Sequence, residues 1–292
     1  MFVRVLHVQV TYDTLGRLSQ WRQSLTTDVS SHVVVNYVYD VDNNVISVNR
    51  SDIPVTWYRD DVTSGDDNAT DGDGMVVTRR GTQRLQWNSR SQLTRVVSRH
   101  GNSTYVYDAV GRLAVVNDMT TSLHLLYADL DHPQLLTHIH HSTTHNVTEY
   151  FYEQSDGHLH AVRINGHMML YVAVDPHGSP LCVFTETGHV VRRMSYTPVG
   201  GLRQHTGSID NDIPWYIGYR AAFHHTTTGL LFFAGRGRVL DPDNGRWLSP
   251  NFKPFIDRRD YSVASFIHNS DLYETNFLRQ GDATPPSLML SK

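Results

Sequence analysis

The sequence predicts an all-β protein assembled from short antiparallel hairpins, with little helix. Three observations predict it. The 25 Lys+Arg and 29 Asp+Glu include only two Lys and four Glu, so the charged set is almost wholly Arg and Asp. Glu and Lys favour helices, whereas Asp competes with the helical backbone and prefers turns. Val, Thr, Tyr and Ile fill much of the remainder, as a pleated surface prefers. Finally, stretches such as Val33–Tyr39 and Ser103–Tyr107 alternate in character and run into turn residues that recur along the chain.

The elements follow in order. Met1–Val10 alternates as an edge strand would; Arg4, His7 and Gln9 interrupt it, and no small-residue cleavage site follows, so it is not a secretion signal. Next comes Tyr12-Asp13-Thr14-Leu15-Gly16-Arg17-Leu18, which recurs as Tyr107-Asp108-Ala109-Val110-Gly111-Arg112-Leu113. Looser copies start at Tyr39, Trp87, Tyr152 and Tyr196. Such self-similarity is the signature of a repeat architecture. Each copy reads as strand, turn, return strand: Asp bonds its own downstream backbone, Gly takes φ > 0, and Arg-Leu opens the return. Turns are expected near Asp13–Gly16, Asp108–Gly111, Asp156–Gly157 and Thr187–Gly188. Tyr12 and Tyr107 are expected to pack inward with Leu18 and Leu113 as cross-strand pairs.

Composition excludes several functions. The chain has 292 residues, enough for one large domain or two small ones. A net charge of −4 gives no electrostatic case for nucleic acid. The single Cys182 rules out a disulfide framework or a cysteine zinc cage within the chain. No apolar run reaches the ~18–20 residues of a membrane span.

The candidate chemistry is thin. His138 and His140 would share a strand face and supply two metal ligands, with His141 and His145 nearby. However, the 18 His are scattered over the chain and no Cys, Asp or Glu joins these at a familiar spacing, so a solvated His-biased hairpin is the expectation. Asp60–Gly74 has the composition of a calcium loop but fails the EF-hand spacing: counted from Asp67, position three is Ala69 and position twelve is Thr78. It reads as an acidic surface insert. Cys182, in the apolar run Leu181–Phe184, reads as a small buried hydrophobe. Asp175 and Asp241 each precede Pro, which turn chemistry explains better than acid–base catalysis. Gly235-Arg236-Gly237-Arg238 is not a phosphate loop, because no Gly-Lys-Ser/Thr follows. No metal or cofactor is expected.

The Tyr-Asp-x-x-Gly-Arg-Leu units resemble the YD repeats of the RHS and teneurin proteins. The second half resembles the RHS-associated core: Asp175, Gly178 and Pro180 open it, and Gly229-Leu230 follow. Arg238, Asp241-Pro242 and Gly245-Arg246-Trp247 form its most specific block, and the likeness spans residues 10–272. It implies hairpins wound into a spiralling β-shell, here an incomplete barrel. Residues 1–165 are then YD hairpins carrying the 60–74 insert, 166–272 the core, and 273–292 a tail. Arg246 is expected to bond a neighbouring turn or an Asp, and Trp247 to be buried, so that the block clasps the winding rather than forming a reaction centre.

In the animal branch the resemblance implies a non-enzymatic adhesion and signalling module. It would stand on the extracellular face of the plasma membrane, within a single-pass parent. Its partners would be the rest of the shell and an adhesion receptor of the latrophilin type or another teneurin. Asn49, Asn68, Asn102 and Asn146 are N-glycosylation acceptors in keeping with that branch. The bacterial alternative is a shell enclosing toxic cargo, released by self-cleavage at an Asp-Pro-x-Gly motif that is not found after Pro250. A carbohydrate-active enzyme is a third reading, which would need two carboxylates facing one cleft. The chain reads as a piece of a longer shell, with an unpaired N-terminal edge that invites strand addition.

Overall fold

The computed structural model describes residues 6–25, 28–39, 45–51, 56–58, 71–72, 75–79, 81–99, 101–154, 157–205, 214–233, 238–243 and 245–249. Apart from a 3-10 turn at Tyr219–Ala221, these residues form strands and connections. The all-β expectation holds. A five-stranded sheet runs β1 (Leu6–Tyr12), β2 (Leu18–Leu25), β3 (Asp28–Tyr39), β4 (Val45–Arg50) and β5 (Thr56–Tyr58). A thirteen-stranded sheet begins with β6 (Thr78–Arg79), β7 (Gln83–Trp87), β8 (Leu93–Ser98), β9 (Gly101–Tyr107), β10 (Leu113–Asn117), β11 (Ser122–Leu126) and β12 (His138–His141). It continues with β13 (Val147–Tyr152), β14 (Leu159–Ile164), β15 (Met168–Val174), β16 (Pro180–Thr185), β17 (Val190–Tyr196) and β18 (Leu202–His205). Four short strands form the third sheet: β19 (Phe223–His225), β20 (Leu230–Phe232), β21 (Val239–Asp241) and β22 (Arg246–Trp247). In every sheet each strand pairs with its sequence neighbours, so the topology is a meander.

The small sheet lies between the other two. Leu230, Phe232 and Val239 pack with the inward residues of the thirteen-stranded sheet, among them Val96, Tyr105, Ile139 and Leu170. Leu231, Leu240 and Trp247 pack instead with Trp21, Val33, Val35 and Tyr37 of the five-stranded sheet. Successive side chains of a strand point to opposite faces, so β20 and β21 are buried on both sides. This explains why Gly229–Phe233 is an unbroken apolar run rather than an alternating one.

The winding has a local cause. Register shifts recur where an aromatic ends the outgoing strand, at Tyr12, Tyr39, Trp87 and Tyr152, and at Leu113 opposite Tyr107. A bulge bends its strand and increases right-handed twist. The repeated bulges therefore bend the meander into a curved wall.

The turns at Asp13–Gly16 and Asp108–Gly111 form as expected, and the one expected near Thr187–Gly188 closes from Thr185 to Gly188. Asp156 lies outside the described residues, as do the 60–70 part of the acidic insert and the tail. Tyr12 corrects an expectation. Its ring is 56% exposed, whereas Tyr107 packs against the core with Leu113. Among the described residues β1 is an edge strand, so no earlier hairpin covers Tyr12.

Candidate functional site: repeated clasps and a buried lock

The repeat residues form one bonding unit. Asp13 Oδ1 accepts the backbone N–H groups of Leu15 and Arg17, each at 2.9 Å, and Oδ2 accepts Arg17 Nε at 2.7 Å. Asp108 repeats this with Val110 and Arg112 at 3.1 and 2.8 Å, and with Arg112 Nε at 2.6 Å. Gly16 and Gly111 hold φ of +77° and +96°, which L side chains rarely adopt. Desolvation of Asp108 opposes ionisation, but the Arg112 side chain and these N–H groups outweigh it and hold the carboxyl below its ordinary pKa.

Each turn then reaches the next hairpin. The Asp-anchored guanidinium of Arg17 lies 4.6 Å from the Tyr39 ring centre, and that of Arg112 lies 4.6 Å from the Tyr127 ring centre. The next tyrosine donates its hydroxyl back to the return strand: Tyr39 to Leu18 O at 2.8 Å, and Tyr127 to Leu113 O at 2.9 Å. Tyr107 to Leu93 O and Tyr152 to Leu136 O follow the same rule at 2.9 and 2.8 Å. Tyr, Asp, Gly, Arg and Leu thus recur together because they are parts of one inter-hairpin clasp. Asn88 makes a neutral version, accepting N–H groups of Arg90 and Gln92 at 2.9 and 3.0 Å. Asp175 accepts those of His177 and Ser179, both at 2.8 Å, while Gly178 closes the turn and Pro180 begins β16.

A second arrangement was not legible in sequence. Asp241, read above as a turn residue, is fully buried and receives Arg79 Nε and Nη2 at 2.5 and 2.6 Å. Arg79, also fully buried, donates further to Gln83 Oε1 and Thr228 O, each at 2.9 Å. This fork-to-fork pair fastens β21 of the small sheet to β6 of the large one. Pro242 is buried beside it. Arg238 lies 3.9 Å over the Trp247 ring, and Phe233 meets that ring edge-on at 5.2 Å. A Cβ added at Gly245 would stand 2.8 Å from Val199, so glycine permits the close approach of that turn. Arg246 pairs through its backbone with Asp241; its side chain lies outside the described residues.

His225 forms the third cluster. Its Nδ1 lies 2.9 Å from both the Tyr105 hydroxyl and Thr228 Oγ1, and Nε2 stands 3.6 Å from Asp118 Oδ2. Asp118 accepts Thr227 Oγ1 at 2.7 Å. Burial lowers the His225 pKa to about 4, against the opposing pull of Asp118. Between that value and the unfolded ~6.5 the unfolded chain binds a proton that the folded chain refuses. Stability should therefore fall as pH drops from about 6.5 to about 4 and level off for this group below that. Urea titrations at several pH values check this. The dependence should flatten in His225→Gln, and an unchanged pH profile there would contradict the assignment.

On the outer face, Cys182 is half-buried rather than buried, opposite Arg193 on β17; burial raises its pKa. His138 and His140 do not face one site. His138 opposes Leu126 and sits 3.9 Å from Glu149, which Arg163 grips at 2.5 and 2.6 Å. Among the described residues, no three His, Cys, Asp or Glu side chains are placed so as to enclose a metal ion. Asn102 is exposed on β9, and Asn146 is half-buried in the turn before β13, where its Oδ1 accepts Asn165 Nδ2 at 3.0 Å. Asn68 and the Asn49 side chain lie outside the described residues. No helix among the described residues is long and apolar enough to cross a membrane.

Comparison with known proteins places this arrangement. The chain is 28% identical to teneurin-3 of Danio rerio over 283 residues, 92% of this chain and 10% of that protein. It is 30% identical to human teneurin-1 over 250 residues, 82% of this chain and 9% of that protein. Teneurin-m of Drosophila melanogaster is 28% identical over 246 residues, 82% of the chain and 8% of its own length. The chain thus spans about a tenth of the relatives it matches. Among solved structures, that of TcdB2-TccC3-Cdc42 matches 93% of the chain and 16% of its own, with TM-score 0.69 at 16% identity. The Photorhabdus luminescens Tc holotoxin pore matches 87% and 14%, with TM-score 0.62 at 18% identity. At such identity these structures speak for the fold alone. The family profile described as Teneurin YD-shell matches residues 7–277, and with its clasped Tyr-Asp-x-x-Gly-Arg-Leu hairpins this chain belongs to that family.

Proposed function

We propose that the chain is a non-enzymatic wall segment and recognition surface of a teneurin-like protein displayed outside the cell. The observation that carries this reading is the use made of the repeat and core residues. Asp13, Asp108, Asp175 and Asp241 each hold a turn or join strands. The teneurin relatives support the extracellular setting, and the outer face of the curved sheet is the surface open to an adhesion receptor or a second teneurin. Among the described residues, Asn102 on β9 and Asn146 in the turn before β13 are the acceptors, and they carry N-linked glycan on this reading.

Intact cells making this protein provide the test. A membrane-impermeant biotin reagent should label the chain before lysis, and removal of N-glycans should reduce its mass. Labelling only after lysis would overturn the extracellular reading. A specific turnover of substrate by the folded chain would overturn the non-enzymatic one.

A further inference from the structure

Two buried imidazole–phenol bonds cross the same boundary. His141 at the end of β12 is buried, and its Nε2 lies 2.6 Å from the hydroxyl of Tyr216, which is also buried. The two rings are 5.4 Å apart, and Tyr216 in turn stacks on Phe223 of β19, with centres 5.9 Å apart at 10°. At the other end of β19, His225 bonds the Tyr105 hydroxyl of β9 at 2.9 Å. The pairs are reciprocal: the large sheet supplies the imidazole in one and the phenol in the other. Both fasten residues 216–225 to that sheet, at β12 and at β9. Their electrostatic settings differ. Around His225 stand Asp118, whose Oδ2 is 3.6 Å from Nε2, His224 on β19, and Arg79, which acts on Tyr105. The charged or titratable neighbours of His141 are His140 on its own strand and Tyr216; Tyr150 of β13 and Asp118 act on Tyr216 rather than on the imidazole. Among the described residues, no carboxylate forms an ion pair with His141.

We propose that residues 216–225 form an acid-released latch: protonation of His141, seconded by His225, frees the small sheet from the large one while the hairpins of the large sheet stay paired. A neutral imidazole–phenol pair carries no net charge, whichever tautomer is present. Protonation of His141 places an uncompensated charge beside Leu123, which it opposes across the sheet, and beside the Tyr216–Phe223 stack. Burial disfavours that charge, and repulsion from His140 adds to it, so the pKa of His141 lies below its ordinary value. The closed latch therefore binds fewer protons than the open one. It holds fully above about pH 6.5 and weakens as pH falls below that. At His225 the carboxylate of Asp118 partly offsets the charge, which makes His141 the trigger and His225 the second step. The hairpins lack this sensitivity in the same range. Their strands are joined by backbone ladders, and Asp108 is held below its ordinary pKa and so keeps its clasp. The latch rests on the fold and not on the extracellular reading.

The test is hydrogen exchange of the full chain at about pH 7.5 and about pH 5, corrected for the intrinsic pH dependence of exchange. Peptides over residues 215–232 should lose protection by about tenfold or more at the lower pH, relative to peptides over residues 147–185. His141→Gln stays neutral at both pH values and can still bond the phenol, so it should cut this selective loss severalfold; adding His225→Gln should abolish it. Tyr216→Phe keeps the ring but not the hydroxyl, and should loosen the segment already at about pH 7.5. Circular dichroism shows whether each variant keeps its strand signature, and His141→Asn replaces His141→Gln if that one does not. The parent's own exchange map needs no variant. Equal protection of residues 215–232 at the two pH values, a loss spread evenly over all peptides, or the parent's full response in the folded His141 variant would overturn the latch.

Discussion

Replacing Asp241 by Asn should lower the unfolding free energy by about 3–5 kcal/mol. Asp241 and Arg79 are both fully buried, and the guanidinium makes two bonds of 2.5 and 2.6 Å to the carboxylate. Bringing two ions out of water costs several kcal/mol each, and their mutual attraction roughly offsets that cost. Asn keeps the shape but removes the charge, so Arg79 is left with Gln83, Thr228 O and the more distant Asp243 at 3.6 Å. The loss is that of a buried cation stripped of its bidentate carboxylate, with Asp243 at 3.6 Å as the remaining, weaker charge partner. The double variant Arg79→Met with Asp241→Leu should recover most of it, because an apolar pair of similar volume is often neutral or stabilising. Urea unfolding of the parent, the single and the double variant gives the comparison. A single-variant loss under about 1 kcal/mol would mean that the pair is solvated.

Trp247→Ala should cost a similar amount, about 3–5 kcal/mol. The indole is 2% exposed and lies in the cluster that joins β20 and β21 to Trp21, Val35 and Tyr37 of the five-stranded sheet. Its truncation removes the transfer term and leaves a cavity under Arg238, whose guanidinium stacks at 3.9 Å. Trp247→Phe retains an aromatic against Phe233 and should lose less. As a control, Leu130 is 93% exposed, and Leu130→Ser should stay within about 0.5 kcal/mol of the parent. A loss below about 1 kcal/mol for Trp247→Ala would show that the indole does not fill the space between the sheets.

The hairpin wall was legible because its information is local. Asp13, Gly16 and Arg17 sit within one turn, and the turn chemistry of those residue types fixes the geometry whatever surrounds them. What joins one hairpin to the next was only half legible. The aromatic of Tyr107 was placed inward by its recurrence, but its hydroxyl partner, Leu93 O, is set by the bulge and the sheet twist. Tyr12 was misplaced for the same reason, since its burial depends on a neighbouring hairpin and not on its own turn. The buried lock was out of reach. Arg79 and Asp241 are 162 residues apart, and nothing at either position distinguishes a buried charge from a solvated one. His225 likewise meets Tyr105 across 120 residues. The run Gly229–Phe233 carried one readable signal, because a strand apolar at every position must be covered on both faces.

The central claim is that the repeat residues bind each hairpin to the next, and a double-mutant cycle on Arg112 and Tyr127 tests it most directly. These residues lie in successive hairpins, with the guanidinium 4.6 Å from the ring centre. Arg112→Met and Tyr127→Leu, singly and together, remove the stack while keeping apolar bulk. The clasp predicts a favourable coupling of about 0.5–2 kcal/mol in denaturant unfolding. Additive losses, with coupling within ~0.3 kcal/mol of zero, would contradict it and reduce the repeat to independent turns.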